Sequence, residues 1–312
     1  MIAAAIERLD ALAAERGIAL RADVPMAPLT TLRVGGPAER LAAPESTAEL
    51  VAVLDLSAEA GVPAFMLGKG SDIVVADAGI RGLVVRTRAG AVSVEGRTVR
   101  AEAGAAMAAL ARRCARAGLA GFDWAISIPG TFGGAVWANA GAHGGEMADV
   151  VREVDVYDAE HGRRRLAAAE CGFAYRESRF KHDGGVVLAG RLELEAGDPP
   201  AIEALIEEHQ AVRLRTQPLA DQNAGSVFRN PPGDHAGRLI EAAGLKGHRV
   251  GTASVSTLHA NFIVTDRGAG RAADVRALGD LVRAKVADRF GIELAYEIEF
   301  VGAWDGTSGG RS

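Results

Sequence analysis

Two glycine-dense stretches carry the residue types best able to do chemistry. The first is Gly68-Lys69-Gly70-Ser71-Asp72, a loop of the kind that meets phosphates. Spacing excludes its two familiar forms. A P-loop needs Ser or Thr directly after Gly-Lys, where Gly70 stands, and a glycine five positions before the second one, where Pro63 stands. A dinucleotide fingerprint needs glycine at the position of Ile73. What remains is either a turn whose backbone N–H groups converge on a phosphate or a plain β-turn. The second stretch runs Ser127-Ile128-Pro129-Gly130-Thr131-Phe132-Gly133-Gly134-Ala135 and, a few residues on, Asn139-Ala140-Gly141-Ala142-His143-Gly144-Gly145. Glycine there lets the main chain approach a planar ring or a diphosphate with no Cβ in the way, and the bland alternative is a chain reversal at a sheet corner.

Other reactive types are scarce. Cys114 and Cys171 are the only cysteines, too few for a disulfide framework or a four-thiolate metal site, and such usage fits a reducing cytosol. No metal site is expected. Of 35 basic residues only Lys69, Lys181, Lys246 and Lys285 are lysines, so Schiff-base chemistry has few candidates and arginine-based anion binding has many. A net charge of −5 argues against binding nucleic acid by neutralising many phosphates.

These loops need elements to position them. At 312 residues the chain is long enough for two or three domains. With 48% hydrophobic and 24% charged residues it is an ordinary globular composition, and only glycine is unusual, 39 residues or about 12% against ~7%. Charges at Glu7, Arg8 and Asp10 make the N-terminus an amphipathic helix and not a signal peptide, no uncharged run approaches membrane-spanning length, and the cytoplasm is the expected compartment. Ser46 with Glu49 opens a helix that Gly61 and Pro63 stop near Ala60. Two short strands flank the 68–72 loop. Met107, Leu110 and Cys114 share a helical face, which makes Cys114 a small core residue. Val154 and Val156 against Asp155, and Leu192 and Leu194 against glutamates, alternate as strands do. A polar helix follows Pro199 and Pro200, and a stripe of Val275, Leu278, Val282 and Val286 is closed by Gly291 before a strand ELAYEIEFVG. Helices and strands lack a regular βαβ rhythm, so the class is α+β.

Seven motifs in order, TLRVGGPAE (31–39), LGKGSDIVVADAGIRGLVV (67–85), SIPGTFGGAVWANAGAHGGE (127–146), YRESRFK (175–181), AGSVFRNP (224–231), AGLKGHRVGTASVSTLHANFIV (243–264) and YEIEFVG (296–302), are spread over nearly the whole chain. Together they resemble the UDP-N-acetylenolpyruvoylglucosamine reductases (UDP-N-acetylmuramate dehydrogenases), flavoenzymes of peptidoglycan precursor synthesis. The resemblance implies a two-part FAD-binding unit of the vanillyl-alcohol-oxidase (PCMH) type, residues 1–80 and 81–195, and an α+β substrate-binding domain over 196–302; the terminal GTSGGRS reads by composition as a flexible tail, over 303–312. Arg176 and Ser226 stand 50 residues apart, a spacing that resembles the shorter subclass, without an inserted tyrosine-bearing loop. Lys69 and Asp72 stand where the family commonly has glycine and asparagine, and Leu258 where it frequently has lysine.

The implied cofactors are FAD and NADPH, and the implied substrate is UDP-N-acetylglucosamine enolpyruvate. FAD contacts are implied at Leu67, Gly68, Lys69, Gly70, Ser71 and Asp72, and at Ser127, Ile128, Pro129, Gly130, Gly133, Gly134, Ala135, Asn139 and Gly141. Catalysis is implied at Arg176, whose fork matches a carboxylate, at Ser226 as proton donor, and at Glu297, which must be protonated to donate a hydrogen bond. Period-two alternation puts Glu297 and Glu299 on one face and does not choose between them; the family motif selects Glu297. Arg229, Asn230 and His259 are implied for the nucleotide sugar. Neither nucleic acid nor membrane is an expected partner, and the expected state is a monomer or weak homo-oligomer. The rival readings are an oxidase of the same fold using dioxygen and a nucleotide-sugar-binding protein without turnover.

Overall fold

Ile6, Leu9 and Ala13 lie on one face of the helix Ile2–Glu15, and all three are buried against Leu50, Val53 and Leu54 of the helix Thr47–Ala60. Each such aliphatic side chain contributes about 1.5–3 kcal/mol by leaving water. The second helix starts where Ser46 Oγ accepts from Glu49 N at 3.2 Å, and Glu49 Oε2 in turn accepts from Glu45 N at 2.9 Å. That return bond falls one residue earlier than in a capping box. The helix stops at Gly61, left-handed with φ 70°.

The computed structural model describes residues 2–304, which fall into two compact units. The first comprises the chain up to Arg21, Leu41–Gly68 and Gly82–Arg213; the second comprises Ala22–Arg40, Lys69–Arg81 and the chain from Leu214. In the first unit an antiparallel sheet runs in the order Gly162–Ala167, Val151–Asp158, Val186–Glu193, Thr98–Glu102, Val92–Glu95. Val154 and Val156 are buried in its core, while Asp155 turns outward to Arg165 Nε at 2.8 Å and Arg100 Nη2 at 2.5 Å. Helix Met107–Arg116 buries Met107, Leu110 and Cys114 in the same core. Burial pushes the Cys114 thiol up to about 12 and that of Cys171 up to about 11, so neither is a thiolate at neutral pH.

In the second unit Gln222–Asn223, Ile263–Thr265, Ala253–Val255 and Arg249–Val250 form an antiparallel sheet in that order. Val275, Leu278, Val282 and Val286 of helix Ala272–Phe290 are buried in the core of this unit. Among the described residues no helix is long and apolar enough to cross a membrane.

The segment around the 68–72 loop holds three strands, not two: Ala64–Leu67, Ile73–Val75 and Ile80–Arg86. Ala64–Leu67 pairs in parallel with 83–86, whereas Ile73–Val75 pairs in parallel with Glu299–Val301. Residues 68–72 therefore join strands with different partners and make no hairpin. Only Glu299–Val301 of ELAYEIEFVG is strand, because the residues before it bond elsewhere, Glu297 N to Val227 O and Ala295 O to Arg229 N. The glycine-dense stretch is not all loop either, since Phe132–Ala138 is a short helix. Of the tail expected over 303–312, residues 305–312 lie outside the described residues; Ala303 N donates to Gly79 O and Trp304 packs edge-on to Phe300.

Ser46→Ala removes the cap of the Thr47–Ala60 helix and lowers stability by about 1 kcal/mol, measured as a lower urea midpoint with an unchanged m-value.

Candidate active site

In the first unit the helix Phe132–Ala138 is set by main-chain bonds, Phe132 N to Ala105 O and Gly133 N to Ala103 O, each 2.8 Å. Gly133 is glycine because a Cβ would lie 2.8 Å from that of Ala103, and Gly68 because a Cβ would lie 2.5 Å from Thr131 Oγ1. Leu67 and Gly68 are thereby held against the start of this helix. Ala135 is buried in the core, Ile128 and Gly130 are half-buried, and Pro129 is exposed. Ser127 Oγ lies 2.9 Å from His143 Nε2.

Asn139 ends the helix in a left-handed conformation, φ 42°, with its side chain fully buried. Its Nδ2 donates to Ala174 O at 2.8 Å and its Oδ1 accepts from Ala148 N at 2.9 Å. The first of these bonds holds the turn that presents Arg176. That turn is closed by reciprocal backbone bonds between Ala174 and Glu177, with Tyr175 and Arg176 at its tip. Arg176 itself is left-handed, φ 55°, a conformation that costs a non-glycine residue of order 1 kcal/mol. Its Nη2 donates to Gly141 O at 2.8 Å. Expected FAD residues Asn139 and Gly141 and expected catalytic residue Arg176 thus form one hydrogen-bonded group. Two residues of YRESRFK for which no role was expected complete it. Buried Ser178 donates to Trp137 O at 2.6 Å, and Lys181 sits over the Trp137 ring at 4.3 Å.

In the second unit Thr31 N donates to Gly70 O at 2.9 Å and Thr31 Oγ1 to Asn223 O at 2.7 Å, tying the 70–72 loop to the segment that leads into Ser226. Gly70 is left-handed, φ 59°, and lies against the Leu29 and Thr30 backbone; Lys69 is exposed, and Ser71 and Asp72 are half-buried. Glu297 N donates to Val227 O at 2.8 Å and Arg229 N to Ala295 O at 2.9 Å, with Phe228 and Tyr296 stacked between them at 5.0 Å. Ser226 and Glu297 therefore stand on adjoining backbone segments. Glu299, equally half-buried, bonds through its N–H to Asp72 O instead, so its backbone sits beside the loop.

Asn261, 4% exposed, holds this arrangement by donating from Nδ2 to Phe228 O at 2.8 Å and accepting at Oδ1 from Phe228 N at 3.0 Å. Sequence reasoning passed over it, although an asparagine inside the apolar run of HANFIV is the available signal. Exposed Asn230 accepts from Ala236 N at 3.0 Å. His259 Nδ1 accepts from Asn261 N at 3.2 Å, and burial, then Lys246, hold the ring below the ordinary imidazole range. It is neutral at pH 7, with Nε2 carrying the hydrogen and able to donate.

Residues 38–165 match the family model described as FAD binding domain. The chain is accordingly an FAD-dependent oxidoreductase of α+β class with an FAD-binding domain. Residues 217–301, which include Ser226 and Glu297, match the model for UDP-N-acetylenolpyruvoylglucosamine reductase, C-terminal domain. A reductase of that description from Symbiobacterium thermophilum is 45% identical over 298 residues, 95% of this chain and 96% of the relative. One from Heliobacterium modesticaldum is 47% identical over 281 residues, 89% of each. The crystal structure of the UDP-N-acetylenolpyruvylglucosamine reductase of Thermus caldophilus superposes with a TM-score of 0.77 at 36% identity, over 91% of this chain and 98% of that one. The chain belongs to the UDP-N-acetylenolpyruvoylglucosamine reductase family, with that family's reductase function in peptidoglycan synthesis.

Two features of the first unit fit FAD. Gly134 is exposed and helical, and an added Cβ would meet only Thr131 Oγ1, at an ordinary 3.7 Å, so nothing in the protein demands glycine there. A ring or phosphate lying over that backbone would. Thr87, 8% exposed, donates its N–H to Leu67 O at 3.2 Å, while its buried hydroxyl has no hydrogen-bond partner among the described residues.

Gly134→Ala should therefore raise the stability of the FAD-free chain by about 0.5 kcal/mol in denaturant melts, yet weaken FAD about tenfold, the equivalent of about 1.4 kcal/mol, in fluorescence titration.

Proposed function

We propose that this chain reduces the enolpyruvyl group of UDP-N-acetylglucosamine enolpyruvate to UDP-N-acetylmuramate with electrons from NADPH. The observation that carries the reading is the main-chain bond from Glu297 N to Val227 O, which brings Glu297 to the segment bearing Ser226. When bound, FAD would supply the hydride chemistry that links NADPH to the enolpyruvyl double bond.

The chain's own residues do the rest. Arg176 holds the substrate carboxylate, toward which negative charge moves as hydride adds to the terminal carbon, and its fork meets both oxygens. Its left-handed backbone, fastened through Gly141 O and the Asn139 clamp, supports a fixed cation in place of a mobile one. Ser226 gives its proton to the adjacent carbon as basicity develops there. Glu297 hydrogen-bonds to the developing enolate. Arg229, Asn230 and the Nε2–H of neutral His259 take the nucleotide sugar. The two FAD loops, 67–72 and 127–141, hold the cofactor, within the division 1–80, 81–195 and 196–302. Two free, buried thiols fit a reducing cytoplasm, where we place the enzyme as a monomer or weak homo-oligomer without nucleic-acid partners.

Ser226→Ala should leave the bound flavin's spectrum and its reduction by NADPH intact while slowing reoxidation by the enolpyruvyl substrate about 10²–10⁴-fold in stopped flow. Reoxidation at the wild-type rate with full product formation would remove Ser226 from the role of acid.

A further inference from the structure

The 3-10 turn Asp123–Ser127 is tied at both ends to imidazoles that have no part in the mechanism above. Ser127 Oγ lies 2.9 Å from His143 Nε2, and Asp123 Oδ2 lies 3.0 Å from His209 Nε2. The two rings stack, with centroids 3.9 Å apart and planes inclined by 17°. His143 is delivered to this stack by a two-residue hairpin between the strands Gly141–Ala142 and Gly145–Glu146. Both tip residues have positive φ, 52° for His143 and 86° for Gly144, as a type I′ turn requires.

The protons in this array follow from donor and acceptor roles. Asp123 is a carboxylate that only accepts, so His209 Nε2 carries a hydrogen. The groups facing His143 are His209, Glu208 and Arg213 of helix Pro199–Thr216, and Asp123 of the 3-10 turn. Burial first, then the His209 ring, with Arg213 in the same sense, hold His143 below the ordinary imidazole range, while Asp123 and Glu208 oppose them. The ring is therefore neutral at pH 7. A neutral ring with its hydrogen on Nδ1 accepts the Ser127 proton at Nε2, leaving the serine oxygen's lone pairs to a ligand donor. A charged ring donates from Nε2, so Ser127 must accept and its own hydrogen turns outward. One proton exchanges what the serine presents.

We infer that His143, backed by His209 and Asp123, is a positioning residue for the Ser127 hydroxyl in the FAD cradle, and that its charge state decides whether Ser127 offers the cofactor a lone pair or a hydrogen. This rests on Ser127 being a cofactor contact. FAD dissociation constants from flavin fluorescence, taken on reconstituted protein between about pH 5 and pH 8, test it. In the wild type, affinity changes about tenfold on acidification, the size of one hydrogen bond, with its inflection below the ordinary imidazole value of about 6.5. His143→Gln, whose amide can still bond Ser127 but does not titrate, gives a flat profile near the wild-type affinity at pH 8. His209→Gln removes the repelling ring and moves the inflection upward. Superimposable wild-type and His143→Gln profiles, or an unmoved inflection in His209→Gln, overturn the inference. Ser127→Ala that binds FAD as the wild type does at pH 8 overturns it by removing Ser127 from the cradle, whereas absence of FAD binding by the wild type at pH 8 strikes the cofactor reading itself.

Discussion

Main-chain bonding between 227–229 and 295–297 is the constraint on which the chemistry of the second unit rests. Ser226 and Glu297 lie far apart in sequence and are brought to adjoining backbone segments only by Glu297 N on Val227 O and Arg229 N on Ala295 O. Backbone bonds fix Cα positions before any rotamer is chosen, so a hydroxyl and a carboxyl presented from such a ribbon keep their spacing through turnover. A slip of one residue would set Tyr296 or Ile298 against Val227 in place of Glu297. Stacking of Phe228 on Tyr296 and burial of Ile298 oppose that slip, because either change would unpack the core.

Both units use the same device to hold such segments. A buried asparagine, Asn139 in the first and Asn261 in the second, spends both ends of its amide on main-chain groups, Ala174 O and Ala148 N in one case and the N–H and C=O of Phe228 in the other. An amide is suited to this because it donates and accepts in one plane, and burial makes each bond costly to lose. The price is specificity of packing, since no apolar side chain of similar size satisfies the same two groups. Arg176, held in a left-handed conformation, shows what such clamps sustain.

Much of the local structure was legible beforehand. Apolar spacing located the helices at Ile2–Glu15, Met107–Arg116 and Ala272–Phe290, and Ser46 and Gly61 marked the ends of a fourth. Strand partners were not legible. Residues 63–85 and 293–302 read as simple strands because apolar runs and period-two alternation report which residues are buried and are silent on which segment lies alongside. Likewise the glycines of 127–145 announced close approach without revealing that Gly133 answers to Ala103 while Gly134 answers to nothing in the protein.

Taken alone, the sequence determined the α+β class, the core faces of the helices and, through seven ordered motifs, the family, because these depend on residue type and on neighbours within a few positions. Tertiary structure alone decided that Glu297 bonds through its N–H to the serine segment and Glu299 to the loop at Asp72, that Asn139 and Asn261 are clamps, and that His143 stacks on His209. Each of those is a hydrogen bond or ring contact between residues distant in the chain, and periodicity carries no information about such pairs.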